Sequence, residues 1–217
     1  MRRWLKVAIA GAVALVVLVG VWLFAFSPVF AVQDVSVVGV EDDVASAVLS
    51  AGAVQTGTPL ALLNADEIAE RVRSVPQVAS VEVRRGWPNA VVLAVEPRVP
   101  VAVALTGSGL MLVDATGTAY ESIAKAPPGL LSIQASDVGL VAAVQVVTSL
   151  PAELATRVTK VTATTRDDVA FTLRNGSTVK WGSSEDSAFK LQVLQALMQQ
   201  KASTYDVSAP QLPTTAK

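Results

Sequence analysis

The side chains that could do chemistry in this chain are carboxylates, serines and lysines. The sequence contains no Cys and no His, which excludes thiol nucleophiles, His-based metal sites and Ser–His or Cys–His catalytic arrangements. Asp167 and Asp168 form a pair at a predicted turn, but paired acids without a cleft are mostly solvated and make no acid/base dyad. Lys180 and Lys190 follow several serines, so a Ser–Lys pair is the nucleophilic arrangement that the composition leaves open. We therefore predict a protein that is not an enzyme and has no catalytic residues, cofactor or metal site.

The segment at the end of the predicted fold is the best candidate for an interaction site. Thr204–Val207 is short and β-prone, and Pro210 follows it, so we expect a terminal strand at a sheet edge. An edge strand exposes unpaired N–H and C=O groups to which another protein can add a strand; the alternative is a strand protected by a frayed tail. The candidate partner-binding residues are Thr178, Val179, Trp181, Lys190, Thr204, Tyr205, Asp206 and Val207. Lys190 could equally be an ordinary surface lysine of the last helix.

Two further groups of residues allow a structural and a functional interpretation. Trp87 and Pro88 lie in a predicted turn, where the indole is either a recognition knob or a cover for the end of a sheet. The run Glu96-Pro97-Arg98, with Pro100, either sets the angle between two domains or forms a surface salt bridge worth roughly 0–1 kcal/mol. We predict a hinge at these prolines.

Five elements are predicted before Pro97. Residues 31–39 form a Val-rich strand, and a short helix through Ala51 follows the acids at 41–43. Asn64 and Glu67 are spaced as a capping box, which opens a second helix that ends before Pro76. Two strands follow, joined by a turn at 86–89. The order strand, helix, helix, strand, strand defines a first domain at residues 30–98.

A second domain of mixed β type is predicted at residues 99–209, so the fold class is α+β. Its predicted elements are strands at 99–105 and 110–113, a helix at 137–150 capped by Ser136, strands at 154–164, 169–173 and 178–181, a helix at 185–201 and the strand at 205–207. Residues 210–217 are predicted as a flexible C-terminal tail.

The apolar run at residues 7–26 predicts a membrane-spanning helix. Its twenty residues would span roughly 30 Å, and its twelve Val, Leu, Ile and Phe residues favour insertion by about 4–7 kcal/mol. Basic residues in the short stretch 1–6, and none in the ten residues after the run, place the N-terminus in the cytoplasm and the C-terminus outside. The alternative is a signal peptide cleaved near Val29-Phe30-Ala31.

The charge of the exported part excludes one class of partner. The whole chain has 17 basic and 18 acidic residues, and three of the basic ones precede the apolar run. The part of the chain after the run therefore has 14 basic and 18 acidic residues. A net charge of this sign is no electrostatic footprint for nucleic acid. We predict no nucleic-acid partner.

An ordered set of short motifs resembles the FtsQ/DivIB family of bacterial division proteins. Behind one predicted anchor the set comprises Phe30-Ala31-Val32, Val35-Ser36-Val37-Val38-Gly39, Gly57-Thr58-Pro59-Leu60, Pro76-Gln77-Val78, Val81-Glu82-Val83-Arg84-Arg85-Gly86-Trp87-Pro88, Val95-Glu96-Pro97-Arg98-Val99-Pro100-Val101-Ala102, Val113-Asp114-Ala115-Thr116-Gly117, Gly176-Ser177-Thr178-Val179-Lys180-Trp181-Gly182, Lys190 and Asp206-Val207. No single piece is specific, whereas the set in this order is highly specific.

The resemblance implies an anchor, a POTRA domain and a mixed β domain that ends in a partner-binding strand. It also implies a single-pass protein of the cytoplasmic membrane at the division septum. Such a scaffold would join the coiled-coil division proteins FtsB (DivIC) and FtsL and help recruit or regulate septal peptidoglycan synthesis. Two features depart from the family: the cytoplasmic tail is only six residues long, and Pro210 shortens the terminal edge.

Two rival functions remain at this stage. A membrane-tethered cell-wall hydrolase would need a Ser–Lys pair. A POTRA-type export or assembly factor of the outer membrane would need a barrel of at least eight strands, for which the part after Pro100 is too short.

Overall fold

The computed structural model describes residues 2–107 and 109–216, without the side chains of residues 2, 3, 5, 6, 21 and 23–26. The chain divides into two compact units, of which unit 1 ends at Arg98 and unit 2 begins at Val99. The first element is the helix α1, Arg2–Phe26. Among the described residues, no helix combines the length and the apolar character needed to cross a membrane. The membrane span expected at residues 7–26 therefore stays a prediction.

Unit 1 has the predicted order of strand, helix, helix, strand, strand. After a 3-10 helix at Pro28–Phe30, its elements are β1 (Asp34–Val38), α2 (Asp42–Gly52), a 3-10 helix at Leu60–Leu62, α3 (Ala65–Arg73), β2 (Val78–Gly86) and β3 (Ala90–Pro97). The strands form one sheet in the order β1-β3-β2, with β1 parallel and β2 antiparallel to β3. The mixed pairing follows from the connections, because a tight turn joins β2 to β3 and a two-helix crossover separates β1 from β3.

The helices of unit 1 form where the sequence predicts them. The Asn64 side chain accepts a hydrogen bond from the Glu67 N–H at 3.3 Å, and its amide donates to the Glu67 carboxylate at 3.4 Å. This pairing satisfies one of the free N–H groups at the start of α3, which is worth about 1 kcal/mol. The face of α3 formed by Ile68, Ala69 and Val72 is buried against the sheet.

The core of unit 1 lies between the helices and one face of the sheet. Its fully buried members include Val32, Val48, Leu60, Val72, Val91 and Leu93. Gly39 follows β1 with φ of +99°, and a Cβ there would lie 2.1 Å from the Val95 carbonyl oxygen. Only glycine therefore allows β1 and β3 to approach at this point.

Unit 2 is built on one large sheet. Its elements are β4 (Pro100–Thr106), β5 (Gly109–Asp114), β6 (Ala119–Ile123), β7 (Leu131–Ala135), α4 (Asp137–Ser149), α5 (Ala152–Ala155), β8 (Val158–Ala163), β9 (Val169–Leu173), β10 (Thr178–Gly182), α6 (Ser187–Leu197), β11 (Thr204–Asp206) and β12 (Thr214–Ala216). Within the described residues nine strands pair in the order β12-β11-β10-β9-β8-β7-β4-β5-β6. The pairs β4–β7, β7–β8 and β10–β11 are parallel, and the other pairs are antiparallel.

The core of unit 2 lies where α4 and α6 cover this sheet. The Phe171 and Trp181 rings lie 5.8 Å apart at its centre and are almost completely buried. Ser136 caps α4 as predicted, since its hydroxyl accepts from the Gly139 N–H at 3.1 Å. A Cβ at Gly139 would lie 2.4 Å from the Ala163 carbonyl oxygen, so this glycine lets the start of α4 approach β8 closely.

The prediction of a flexible tail at residues 210–217 is wrong for its last described part. Thr214–Ala216 forms β12, which pairs antiparallel with β11 in the register Thr204↔Ala216, Tyr205↔Thr215 and Asp206↔Thr214. The backbone N–H of Ser203 also donates to the Ala216 carbonyl oxygen at 2.8 Å. The physical reason is that β11 needs partners for its outer N–H and C=O groups. Lys217 lies outside the described residues.

Candidate functional site

The structure brings most of the predicted partner-binding residues together at one end of the large sheet. β10 and β11 lie side by side in parallel, with Thr178 opposite Thr204 and Val179 opposite Tyr205. The backbone N–H of Val207 continues this pairing by donating to the Lys180 carbonyl oxygen at 2.9 Å. The segment Thr204–Val207 is thus fixed against β10 along its whole length.

The side chains that were expected to contact a partner directly are mostly core residues. Val179, Trp181 and Val207 have no exposed area, and Tyr205 is 3% exposed. The Tyr205 hydroxyl donates to the Gln200 carbonyl at 2.8 Å and accepts from the Ala202 N–H at 3.2 Å. Side chains two apart on a strand share a face, and here that face is the one covered by the core. The expectation of exposed contacts from Tyr205 and Val207 is therefore wrong.

Lys190 is also buried, at 2% exposed. Its ammonium donates to the Ser183 carbonyl oxygen at 2.9 Å and to the Ser183 hydroxyl at 3.3 Å. Burial lowers the pKa of Lys190 below its usual value, while the nearby charges of Asp186, Glu185 and Asp167 act in the opposite direction. Lys190 ties α6 to the loop after β10, and the prediction of a surface residue is wrong.

The opposite face of the same strands is accessible. Thr178, Thr204 and Asp206 are half-buried, and Lys180 is exposed and lies opposite Asp206 in the register. The Asp206 carboxylate accepts hydrogen bonds from the Ser208 N–H at 3.1 Å and the Ser208 hydroxyl at 2.6 Å. Sequence reasoning missed Lys180 as a site residue, although strand alternation between the buried Val179 and Trp181 predicts that it faces outward.

The edge at this end of the sheet is β12, not β11. Thr214, Thr215 and Ala216 are all exposed, and within the described residues β12 pairs with β11 alone. The position that the sequence suggested for a partner strand is therefore occupied by the chain's own terminal strand. The arrangement demonstrates that β11 can accept an antiparallel strand.

Comparison with known proteins gives two family matches, one within each unit. Residues 30–98 match the POTRA domain, FtsQ-type, and residues 102–210 match the cell division protein FtsQ/DivIB, C-terminal, family. The chain belongs to the FtsQ/DivIB family. The resemblance stated from the sequence motifs is confirmed: unit 1 contains a POTRA-type domain, and unit 2 is rich in β-strands.

Individual relatives in the FtsQ/DivIB family agree over most of the chain. The cell division protein FtsQ of Streptomyces venezuelae is 38% identical over an alignment of 218 positions, which covers 94% of this chain and 80% of the relative. FtsQ of Mycobacterium tuberculosis is 34% identical, covering 98% of this chain and 69% of the relative. FtsQ of Streptomyces griseus is 34% identical, covering 84% of this chain and 95% of the relative. These relatives support a role in cell division.

The predicted hinge residues of this FtsQ/DivIB member belong to unit 1 up to Arg98. The Glu96 carboxylate accepts from the Ser80 hydroxyl at 2.7 Å, across the β2–β3 pair. The Arg98 guanidinium donates to the Pro76 carbonyl at 2.9 Å, and its backbone N–H donates to the Gln77 carbonyl at 2.8 Å. The boundary between the two units falls between Arg98 and Val99, and the hinge stays a prediction.

Trp87 lies at the turn between β2 and β3, and its peptide bond to Pro88 is cis. Its indole packs edge-to-face against Phe30 with ring centroids 5.9 Å apart, yet the residue is 51% exposed. Trp87 thus packs over Phe30 at the end of the sheet and keeps about half of its surface exposed to solvent. Both earlier interpretations of this residue remain compatible with its position.

Proposed function

We propose that the protein is a membrane-anchored, non-catalytic scaffold of the division machinery, which binds its partners by strand addition at the β11 edge of unit 2. The observation that carries this proposal is the antiparallel pairing of β12 with β11. It supports β11 as an acceptor strand whose backbone groups suit an incoming segment. In this mechanism the partner's strand takes the place of β12.

The strand β12 is weakly held. It is three residues long, and its side chains are exposed, so its pairing depends on backbone hydrogen bonds. Each such bond contributes about 0.5–1.5 kcal/mol net. A longer partner strand with side chains that pack on Thr204 and Asp206, the outward-facing residues of β11, would gain more than β12 does. Backbone pairing would give the register and this outer face would give the specificity.

The partners proposed from family membership are division proteins. They are the coiled-coil proteins of the FtsB/DivIC and FtsL types and, through them, the septal peptidoglycan synthase complex. Binding would link early and late division proteins at the septum. A catalytic role is disfavoured because the chain has no His or Cys, and because the Lys190 ammonium is bound to the backbone carbonyl of Ser183.

Anchoring in the cytoplasmic membrane is part of the same proposal, with the N-terminus inside. The apolar run at residues 7–26 supports it, as do the exposed fractions of Val7 (72%), Leu15 (63%) and Val16 (71%) on α1. Large apolar side chains in such number are unfavourable in water and are stabilised by lipid. A reporter that fluoresces only in the cytoplasm, fused after residue 217, should stay dark; a bright fusion would contradict the topology.

A reversible disulfide that holds β12 on β11 tests the proposed partner site. The chain has no Cys, so the double variant Thr204→Cys, Ala216→Cys introduces a single possible disulfide. Opposed residues of an antiparallel pair have Cα atoms about 4.5–5.5 Å apart, which suits disulfide geometry. We expect the oxidised variant to lose capture of FtsB/DivIC-type and FtsL-type proteins from its own cells, and reduction to restore it.

The two single-Cys variants are the matched controls and should capture partners normally under both conditions. A truncation that removes residues 210–217 should raise capture, because β11 is then free. If the oxidised double variant and the truncation both capture partners like the unchanged protein, the interface is not at β11.

A further inference from the structure

Three exposed apolar side chains of unit 1 belong to segments that contact one another. Val29 is 58% exposed, Leu62 is 60% exposed and Trp87 is 51% exposed. They belong to the 3-10 helix after α1, to the 3-10 helix between α2 and α3, and to the β2–β3 turn, respectively. We call Val29, Leu62 and Trp87 the exit patch, because the first of them follows α1 by three residues.

Contacts between the three segments hold the exit patch together. The Phe30 ring, next to Val29, packs on the Trp87 ring at 5.9 Å. Ala31 forms a β-bridge with Pro59, just before the Leu60–Leu62 helix. These contacts join the segment after α1 to both of the other segments.

Arg85 fixes the two remaining segments to each other. Its guanidinium donates to the Leu60 carbonyl at 2.9 Å and to the Leu63 carbonyl at 2.8 Å. Arg85 lies two residues before Trp87, so the turn that carries Trp87 and the 3-10 helix that carries Leu62 are joined directly. The exit patch is therefore a fixed surface of the folded unit.

Chain length limits how far this surface can lie from the end of α1. The three residues from Phe26 to Val29 span at most about 10 Å. The headgroup zone on each side of the hydrocarbon core is about 5–8 Å thick. If α1 crosses the membrane and ends near Phe26, the exit patch comes within reach of the headgroup zone.

We propose that the exit patch rests in the headgroup region of the membrane that α1 crosses, and that it holds unit 1 against the bilayer surface. This inference rests on the anchoring proposed above. Trp is suited to this depth, because its ring is apolar while its N–H can bond to water or headgroups. Val29 and Leu62 add apolar area beside it. Lipid is the occupant we assign, because the patch is continuous with the outer end of α1.

The absence of native Cys allows a direct test with single labels. Full-length variants Val16→Cys, Leu62→Cys and Val138→Cys carry an environment-sensitive fluorophore in phosphatidylethanolamine–phosphatidylglycerol vesicles. Nitroxide lipids quench from either the acyl chains or the headgroups. Val16 lies on α1, and Val138 is 58% exposed in unit 2 and serves as the matched control for Leu62.

We expect acyl-chain nitroxides to quench the Val16 label and headgroup nitroxides to quench the Leu62 label, with no quenching at Val138. Adding Trp87→Glu to the Leu62→Cys variant should reduce its quenching, while Trp87→Phe should preserve most of it. A quenched Val16 label beside a Leu62 label that behaves like Val138 would overturn this inference and leave the anchor intact.

An unquenched Val16 label would overturn the anchor and the inference together. Quenching at Leu62 that survives Trp87→Glu would remove Trp87 from the contact and contradict the proposed surface. A Leu62 label that becomes shielded only when other division proteins are added to the vesicles would identify a protein-binding patch instead.

Discussion

Val207 donates its backbone N–H to the carbonyl oxygen of Lys180 over 2.9 Å, one residue beyond the end of β11. Val207 is also completely buried. One residue thus combines a backbone bond between neighbouring strands with core packing, and it fixes the exit of the chain from the sheet.

Val207→Pro removes this N–H and should lower the free energy of unfolding of unit 2 by roughly 3 kcal/mol or more. Val207→Ala keeps the N–H, loses only packing, and should cost about 2 kcal/mol. Urea denaturation of both variants measures the difference. Equal stability of the two variants would contradict a role for the hydrogen bond. Partner capture should fall in Val207→Pro because β11 loses its support.

Tyr205→Phe should destabilise unit 2 by about 1 kcal/mol, because the Gln200 carbonyl and the Ala202 N–H lose their shared partner in a part-buried site. Thr215→Ala, on the exposed strand opposite, is the control and should stay within about 0.5 kcal/mol of the unchanged protein. Denaturant midpoints measure both. If Tyr205→Phe weakens partner capture at unchanged stability, the hydroxyl contacts the partner after all.

The burial of Lys190 predicts a specific pH dependence. Its pKa lies below the ordinary 10.5 mainly because burial disfavours the charged form. In the interval between the folded pKa and 10.5 the unfolded chain binds more protons at this site, so the free energy of unfolding rises with pH there. Below the folded pKa, Lys190 is charged in both states, and the cost of burying its ammonium lowers the free energy of unfolding in full. The stability difference between the unchanged protein and Lys190→Met should therefore shift in favour of lysine as the pH approaches 10.5.

Urea titrations of the two proteins at a series of alkaline pH values measure this difference. The groups that titrate alike in both proteins cancel when the two free energies of unfolding are subtracted. A difference that is flat or falls with pH would show that the Lys190 ammonium is not destabilised by its surroundings.

Asn64→Ala should lower the stability of unit 1 by about 1 kcal/mol, because α3 loses its cap. Asn64→Asp keeps an acceptor at the cap and should cost little. Hydrogen exchange of the full chain should be faster in unit 1 and unchanged after Val99 if the two units unfold separately. Equal acceleration in both would indicate one cooperative unit without a hinge.

Local signals predicted the elements of unit 1 well. The capping pair Asn64 and Glu67 and the turn before Ala90 are each decided within a few residues, so the sequence contains the necessary information. The same holds in unit 2 for Ser136, which caps α4. The parallel pairing of β1 with β3 follows once the two helices between them are placed.

The parts that escaped prediction depend on distant contacts. β6 and β7 were not predicted, because Ala119–Ile123 lacks clear alternation and its pairing with β5 is decided by the sheet. β12 is too short to have a period. The burial of Lys190 cannot be inferred from a lysine on a helix, since it depends on where the Ser183 carbonyl lies in the folded unit.

The parallel pairing of β10 with β11 has a kinetic consequence. Parallel neighbours require a crossover, and here α6 makes it, so β11 cannot leave the sheet without unpacking that helix. β12 follows β11 as the free arm of an antiparallel pair and can open and close alone. Hairpin arms form in about 1–10 μs, much faster than encounters between dilute proteins. A partner that replaces β12 would thus bind with its intrinsic affinity multiplied by the fraction of time that β12 is open.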